Sequence, residues 1–139
     1  MLSEENQWEC EDCGVRKDAI KKINLTNLPS ILILQLKRFS FQDNKSIKIS
    51  DIVDFPLDNL NLNECIYNNL EKNFPSYRLF AITNHIGESL QEGHYTSFCH
   101  DSNSNKWFNY DDQSVSEIKN IKNLKTKNAY LLFYTNEFI

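Results

Sequence analysis

GHYTSFCHDSNSNKWFNYDD, residues 93–112, decides how this chain folds. Two strand-like runs, 93–100 and 106–110, flank Asp101-Ser102-Asn103-Ser104-Asn105, a string of turn formers. The segment reads as an antiparallel hairpin. A turn centred near Asn103 sets His94 opposite Asp112, and a shift of one residue sets it opposite Asp111. Residues directly opposite share a face of the sheet, so spacing alone brings an imidazole beside a carboxylate. A carboxylate on one ring nitrogen fixes the tautomer and leaves the other nitrogen free to take a proton from a nucleophile. Gly93 allows close approach of another backbone, and Tyr95 and Trp107 add aromatic walls. Spacing leaves a structural pair and a catalytic pair equally open.

Outward from the hairpin the pattern stays strand-like. Residues 31–36 form a short apolar run rich in branched side chains, which predicts a strand buried on both faces. Further strands are expected at 77–83 and 129–134, with a short edge strand at 47–49. Ser114-Val115-Ser116-Glu117 has capping-box spacing, and Ile118, Ile121 and Leu124 follow at helical intervals, predicting a short helix or turn. Residues 12–23 suit a short helical or irregular piece. The Asn-rich stretch 58–76 reads as a long loop or insertion. There is no internal repeat.

Bulk properties narrow the function classes. A chain of 139 residues is one modest domain or a piece of a larger one. Fifteen Lys plus Arg against nineteen Asp plus Glu, a net charge of −4, argues against a nucleic-acid partner. No apolar run suits a bilayer span, so no membrane association is expected. The polar, acidic start of the chain, residues 1–7, lacks the features of a secretory signal. A reducing compartment, cytoplasmic or nuclear, is therefore expected, and the four cysteines read as thiols or metal ligands.

Four stretches carry a family resemblance. Gly93-His94-Tyr95-Thr96-Ser97-Phe98, followed by Trp107-Phe108-Asn109-Tyr110-Asp111-Asp112-Gln113-Ser114-Val115, resembles the His box of the ubiquitin-specific proteases. These are papain-like cysteine peptidases that remove ubiquitin. Residues 28–39, LPSILILQLKRF, resemble the family's LP-x-x-L-x-x-x-LKRF strand. Residues 77–87 resemble its strand leading into the His box, and 129–134 its closing strand. Order and spacing agree across nearly the whole chain.

The resemblance implies an α+β, papain-like fold of which this chain is a β-rich part. Residues 28–139 would be the palm, mostly antiparallel sheet, and 1–27 the end of the fingers with a zinc knuckle. It implies hydrolysis of thioester, ester, amide or isopeptide bonds at the C-terminal glycine of ubiquitin. His94 would be the base and Asp111 its orienting partner, with Asp112 as the fallback. Gly93 and Tyr95 would wall a channel for the two terminal glycines, bordered by residues 84–92. Acidic Glu88, Glu92, Asp111 and Asp112 would attract ubiquitin's basic tail. Lys37 and Arg38 are expected at the rim of a buried strand. Cys10 and Cys13 would supply half of a four-cysteine structural zinc site. No cofactor is expected for the chemistry.

One departure stands out. The family's nucleophile lies in a Cys box near the start of its domain, and no such segment occurs here. Cys10 and Cys13 match the knuckle, Cys65 falls in the Asn-rich stretch, and Cys99 has core character. The chain reads as the C-terminal part of the domain, inactive without its N-terminal half. Two alternatives remain: a non-catalytic ubiquitin-binding module of the same fold, and a zinc-binding structural module around Cys10 and Cys13. A sheet deprived of its partner half would expose apolar surface and tend to self-associate.

Overall fold

The computed structural model describes residues 1–42, 45–67, 74–89 and 92–137. Among them the strands run, in chain order, β1 (Trp8–Glu9), β2 (Arg16–Lys17), β3 (Ile31–Gln35), β4 (Phe39–Gln42), β5 (Lys45–Lys48), β6 (Arg78–Ile86), β7 (His94–Asp101), β8 (Lys106–Asp111), β9 (Ser114–Ile118) and β10 (Ala129–Thr135). Single 3-10 turns occur at Glu4–Asn6, Asn63–Cys65 and Ile121–Leu124. The main sheet has the order β3-β10-β6-β7-β8-β9 with every pair antiparallel. β1 with β2 and β4 with β5 make separate hairpins.

One face of the sheet carries the core. Leu79, Ile82, Trp107, Leu132 and Tyr134 pack with Phe55 and Leu124, and Leu32, Leu34, Val53, Leu57 and Leu60 close round them. Burying such side chains is worth about 1.5–3 kcal/mol each. The segment after β5 lies over this face and is tied to it. Leu60 and Tyr77 exchange backbone hydrogen bonds, Leu79 N donates to Leu57 O at 2.8 Å, and Tyr134 Oη donates to Pro56 O at 2.8 Å. Burial pushes the Tyr134 phenol up to about 12.

Several expectations need correction. Strand β3 lies where 31–36 predicts it, but it is an edge strand buried on one face. Its Leu32 and Leu34 turn inward, while Ile31 and Ile33 are 52% and 55% exposed. Among the described residues nothing covers their side. The expected strand at 47–49 belongs largely to β5, in its own hairpin and not on an edge of the main sheet. The helix expected from Ser114 is strand β9. Val115 pairs with Tyr110 and Ile118 with Trp107, so a ladder beside an existing strand outweighs the local capping signal. Only Ile121–Leu124 turns helically, with the Asn120 side chain accepting from Lys122 N. Residues 12–23 take the irregular of the two expected forms, broken only by the two-residue β2 and a bridge from Ala19 to Leu2.

The Asn-rich stretch is partly anchored. Ile66 is buried and bridges Leu25, and Leu60 bridges Tyr77; residues 68–73 of that stretch lie outside the described residues. In the 93–112 hairpin, Asp101 accepts from the backbone N–H groups of Asn103 and Ser104, holding the turn. These bonds and the Ser104 hydroxyl, the largest cause, lower the Asp101 pKa.

Candidate active site

Register decides what meets His94. Ser97 pairs with Tyr110 and Phe98 with Asn109, so the hairpin is centred between Asn103 and Ser104, half a residue beyond the expected centre. Extending that register sets Asp111 opposite Thr96, not opposite His94. His94 is two residues from Thr96 and so points to the same face. The contact is therefore diagonal across the strands, within reach of long side chains. His94 Nε2 and Asp111 Oδ1 are 2.6 Å apart, with the two side chains 43% and 47% exposed. A carboxylate accepts, so Nε2 carries the hydrogen and Nδ1 is left with its lone pair.

Asp112 stands in the two-residue turn between β8 and β9, at φ 49. The donor atoms of His94, Asp111 and Asp112 lie within 4.8 Å of one another. The His94 pKa is raised above its ordinary value, first by the hydrogen bond to Asp111 and then by the charges of Asp111 and Asp112, with partial desolvation opposing. Negative charges beside an imidazole favour its protonated form.

Gly93 and Tyr95 are placed differently from one another. A Cβ on Gly93 would stand 2.3 Å from His85 Nε2 and 2.9 Å from Ile86 O, so only glycine fits above that ring. Tyr95 pairs with His85, one step along the strand from His94, and its ring falls on the opposite face of the sheet. There it lies 5.0 Å from the His85 ring and 6.5 Å from that of Tyr130.

Three residues were not legible as part of this region. His85 is 2% exposed, its Nδ1 has no hydrogen-bond partner among the described residues, and burial, reinforced by the charge of Lys48, lowers its pKa. Lys48 donates to the carbonyls of His85 and Gly87 at 2.7 Å each. Arg38, expected at a rim, is 3% exposed; its guanidinium binds the carbonyl oxygens of Ala129, Ile49 and Asp51. A charge surrounded by carbonyls is indistinguishable in sequence from one at a strand end.

The four cysteines are free thiols. Cys10 and Cys13 lie in the turn between β1 and β2, where Gly14 takes φ 64 and donates to Cys10 O at 2.8 Å. The Cys10 pKa is lowered, first by the Cys13 backbone amide, then by that of Asp12. Such a thiolate-favouring turn suits one half of a four-cysteine zinc site. Among the described residues no third Cys, His or carboxylate joins it, so the residues present supply two donors of four. Cys65 lies in its own 3-10 turn. Cys99 is on β7 but, five residues from His94, faces the other side of the sheet, and burial raises its pKa.

A family model described as ubiquitin carboxyl-terminal hydrolase matches residues 1–134. The chain belongs to the ubiquitin carboxyl-terminal hydrolase family. Among curated relatives, ubiquitin carboxyl-terminal hydrolase 8 of Arabidopsis thaliana is 42% identical over 134 residues, covering 96% of this chain and 15% of that protein. Ubiquitin carboxyl-terminal hydrolase 15 of Homo sapiens is 36% identical over 141 residues, covering 98% of this chain and 14% of that protein. Among solved structures, the SAGA Ubp8/Sgf11/Sus1/Sgf73 DUB module bound to ubiquitin aldehyde superposes with a TM-score of 0.80 at 35% identity, covering all of this chain and 31% of that one. The yeast SAGA DUB module with a mutant Sgf73 gives 0.81 at 36% identity, covering all of this chain and 30% of that one. The chain thus spans a small part of the relatives it matches. Its fold is the antiparallel palm of a papain-like catalytic domain, as the resemblance to ubiquitin-specific proteases implies.

Proposed function

We propose that this chain supplies the base side of a cysteine-type deubiquitinase, with the nucleophilic thiol coming from outside residues 1–139. The reaction is hydrolysis of the bond after ubiquitin's C-terminal glycine. The observation that carries this reading is the 2.6 Å contact of His94 Nε2 with Asp111, which leaves Nδ1 open at a half-exposed position. The chain's hydrolase relatives support it, and so does the ubiquitin aldehyde bound by the Ubp8 module.

A thiol set against Nδ1 would pass its proton to His94, and the resulting imidazolium would be stabilised by Asp111. The thiolate attacks the glycine carbonyl carbon. When the intermediate collapses, the carbon–nitrogen bond breaks, His94 returns its proton to the leaving amine, and an acyl-enzyme remains. Water then gives a proton to His94, attacks the thioester and releases ubiquitin's carboxylate and the thiol. Asp112 adds negative charge beside the pair and is the second candidate for orienting His94. Gly93 lines the passage for the tail with its backbone, since the space a side chain would take is filled by the His85 ring.

In this reading Cys10 and Cys13 hold a structural zinc ion with two ligands from elsewhere in the protein, and no cofactor takes part in the chemistry. The partners are ubiquitin and ubiquitinated proteins, and the protein works in the cytoplasm or nucleus. A non-catalytic ubiquitin-binding module is the second reading, favoured by the lack of a thiol facing His94 among the described residues.

The test is His94→Ala in the full-length protein. Turnover of a fluorogenic ubiquitin conjugate should fall by roughly a thousandfold or more, with the melting temperature within a few degrees of wild type. Retained turnover would remove His94 from the role of base. No turnover in the wild type would favour the binding module.

A further inference from the structure

We propose that Lys48 is a positioning residue for the passage beside His94, latching the neck where Gly87 meets Glu92 and Gly93 through the carbonyls of His85 and Gly87. The proposal rests on the deubiquitinase reading. It starts from a shortage of backbone donors. β10 begins at Ala129, paired with Asn84, so beyond Asn84 strand β6 has no neighbour on that side. His85 N finds Asn128 O at 2.8 Å, but the carbonyls of His85 and Gly87 face a place where no strand continues. A carbonyl left without a donor in a part-buried place is costly. Lys48 Nζ supplies both bonds, at 2.7 Å each, from a separate hairpin.

That hairpin grips the neck twice. Phe39 pairs with Lys48 across β4 and β5, and its ring meets the His85 ring edge-on at 5.5 Å. The ammonium group thus holds the backbone of residues 85–87, and the aromatic ring holds the imidazole beneath Gly93.

The neck itself is drawn tight. Gly87 has φ 144, and a Cβ there would stand 2.7 Å from Glu92 O and 2.8 Å from Gly93 Cα. Gly87 and Gly93 therefore meet backbone to backbone, and Gly93 rests on His85. His94 pairs with Ile86 inside the latched stretch, but its side chain is held from β8, by Asp111, through a contact that does not involve Lys48. Loss of the latch should then displace Gly87 and Gly93 more than the His94 side chain. In kinetic language the damage belongs to substrate binding and not to the chemical step.

Lys48→Met in the full-length protein tests this with a fluorogenic ubiquitin conjugate. KM should rise about tenfold with kcat within about twofold of wild type. A merely destabilised enzyme would lose active fraction and so lower kcat at unchanged KM. KM within twofold of wild type, or a loss carried by kcat alone, overturns the proposal. If Lys48→Met fails to fold, Gly87→Ala, which forces the neck apart from the other side, should show the same split, with the same contrary result. Wild-type turnover and its loss in His94→Ala report on the deubiquitinase reading separately. Should that reading fail, hydrogen exchange still judges the latch. Amides of Gly87 and Gly93 should exchange at least tenfold faster in the Lys48→Met variant than in wild type, and unchanged exchange overturns it.

Discussion

At the residue scale, the His94–Asp111 contact makes a titration prediction. Asp111 favours the imidazolium, so the folded-state pKa lies above the ordinary 6.5. The stability this contributes is present in full below the unfolded value and is lost as pH rises through the folded one. An NMR titration should place the His94 midpoint above 6.5, and Asp111→Asn should lower it. An unchanged midpoint in that variant would mean that the contact does not form in solution. Which acid meets His94 was legible only in part. Spacing narrowed the choice to Asp111 or Asp112, and family pattern favoured Asp111. A diagonal contact from a half-residue shift in register is a property of the turn, and Ser102-Asn103-Ser104-Asn105 fits more than one turn geometry. His85, Lys48 and Arg38 gave no local signal because their partners are backbone carbonyls and rings far away in sequence.

At the element scale, the strands with apolar runs were legible, since β3, β6, β7, β8 and β10 each bury at least part of one face. Strand β9 was not. Its Ser114, Val115, Ser116 and Glu117 are all exposed, so its burial carries little pattern and its state is set by pairing with β8. The central position of β10, between β3 and β6, makes its inward side chains costly to truncate. Leu132 is almost fully buried there. Leu132→Ala should cost about 2–5 kcal/mol in denaturant unfolding, from lost apolar transfer plus the cavity left behind. A cost below about 1 kcal/mol would mean that the site collapses freely, at odds with a packed sheet face.

At the scale of the whole molecule, the surface is larger than the mass requires. A compact monomer of 16.4 kDa exposes about 7,500 Å², whereas this chain exposes 10629 Å². The excess includes Ile31 and Ile33 on the outer side of β3, and Phe41 and Ile47 on the separate hairpin. A sheet with one face packed and apolar side chains on its other side behaves as half of a larger core. The isolated chain should therefore self-associate with rising concentration in sedimentation experiments, and Ile31→Ser with Ile33→Ser should reduce it. A chain that stays monomeric throughout would contradict this view of its surface.

The central claim is that His94 serves a nucleophile from outside these 139 residues. Its most direct test is an electrophilic probe built on the ubiquitin C-terminus, with the labelled cysteine mapped by mass spectrometry. The account predicts no adduct at Cys10, Cys13, Cys65 or Cys99, either in this chain alone or in the full-length protein. It predicts one adduct, in the full-length protein, at a cysteine outside this sequence. Covalent capture of the probe at any of the four cysteines would contradict it.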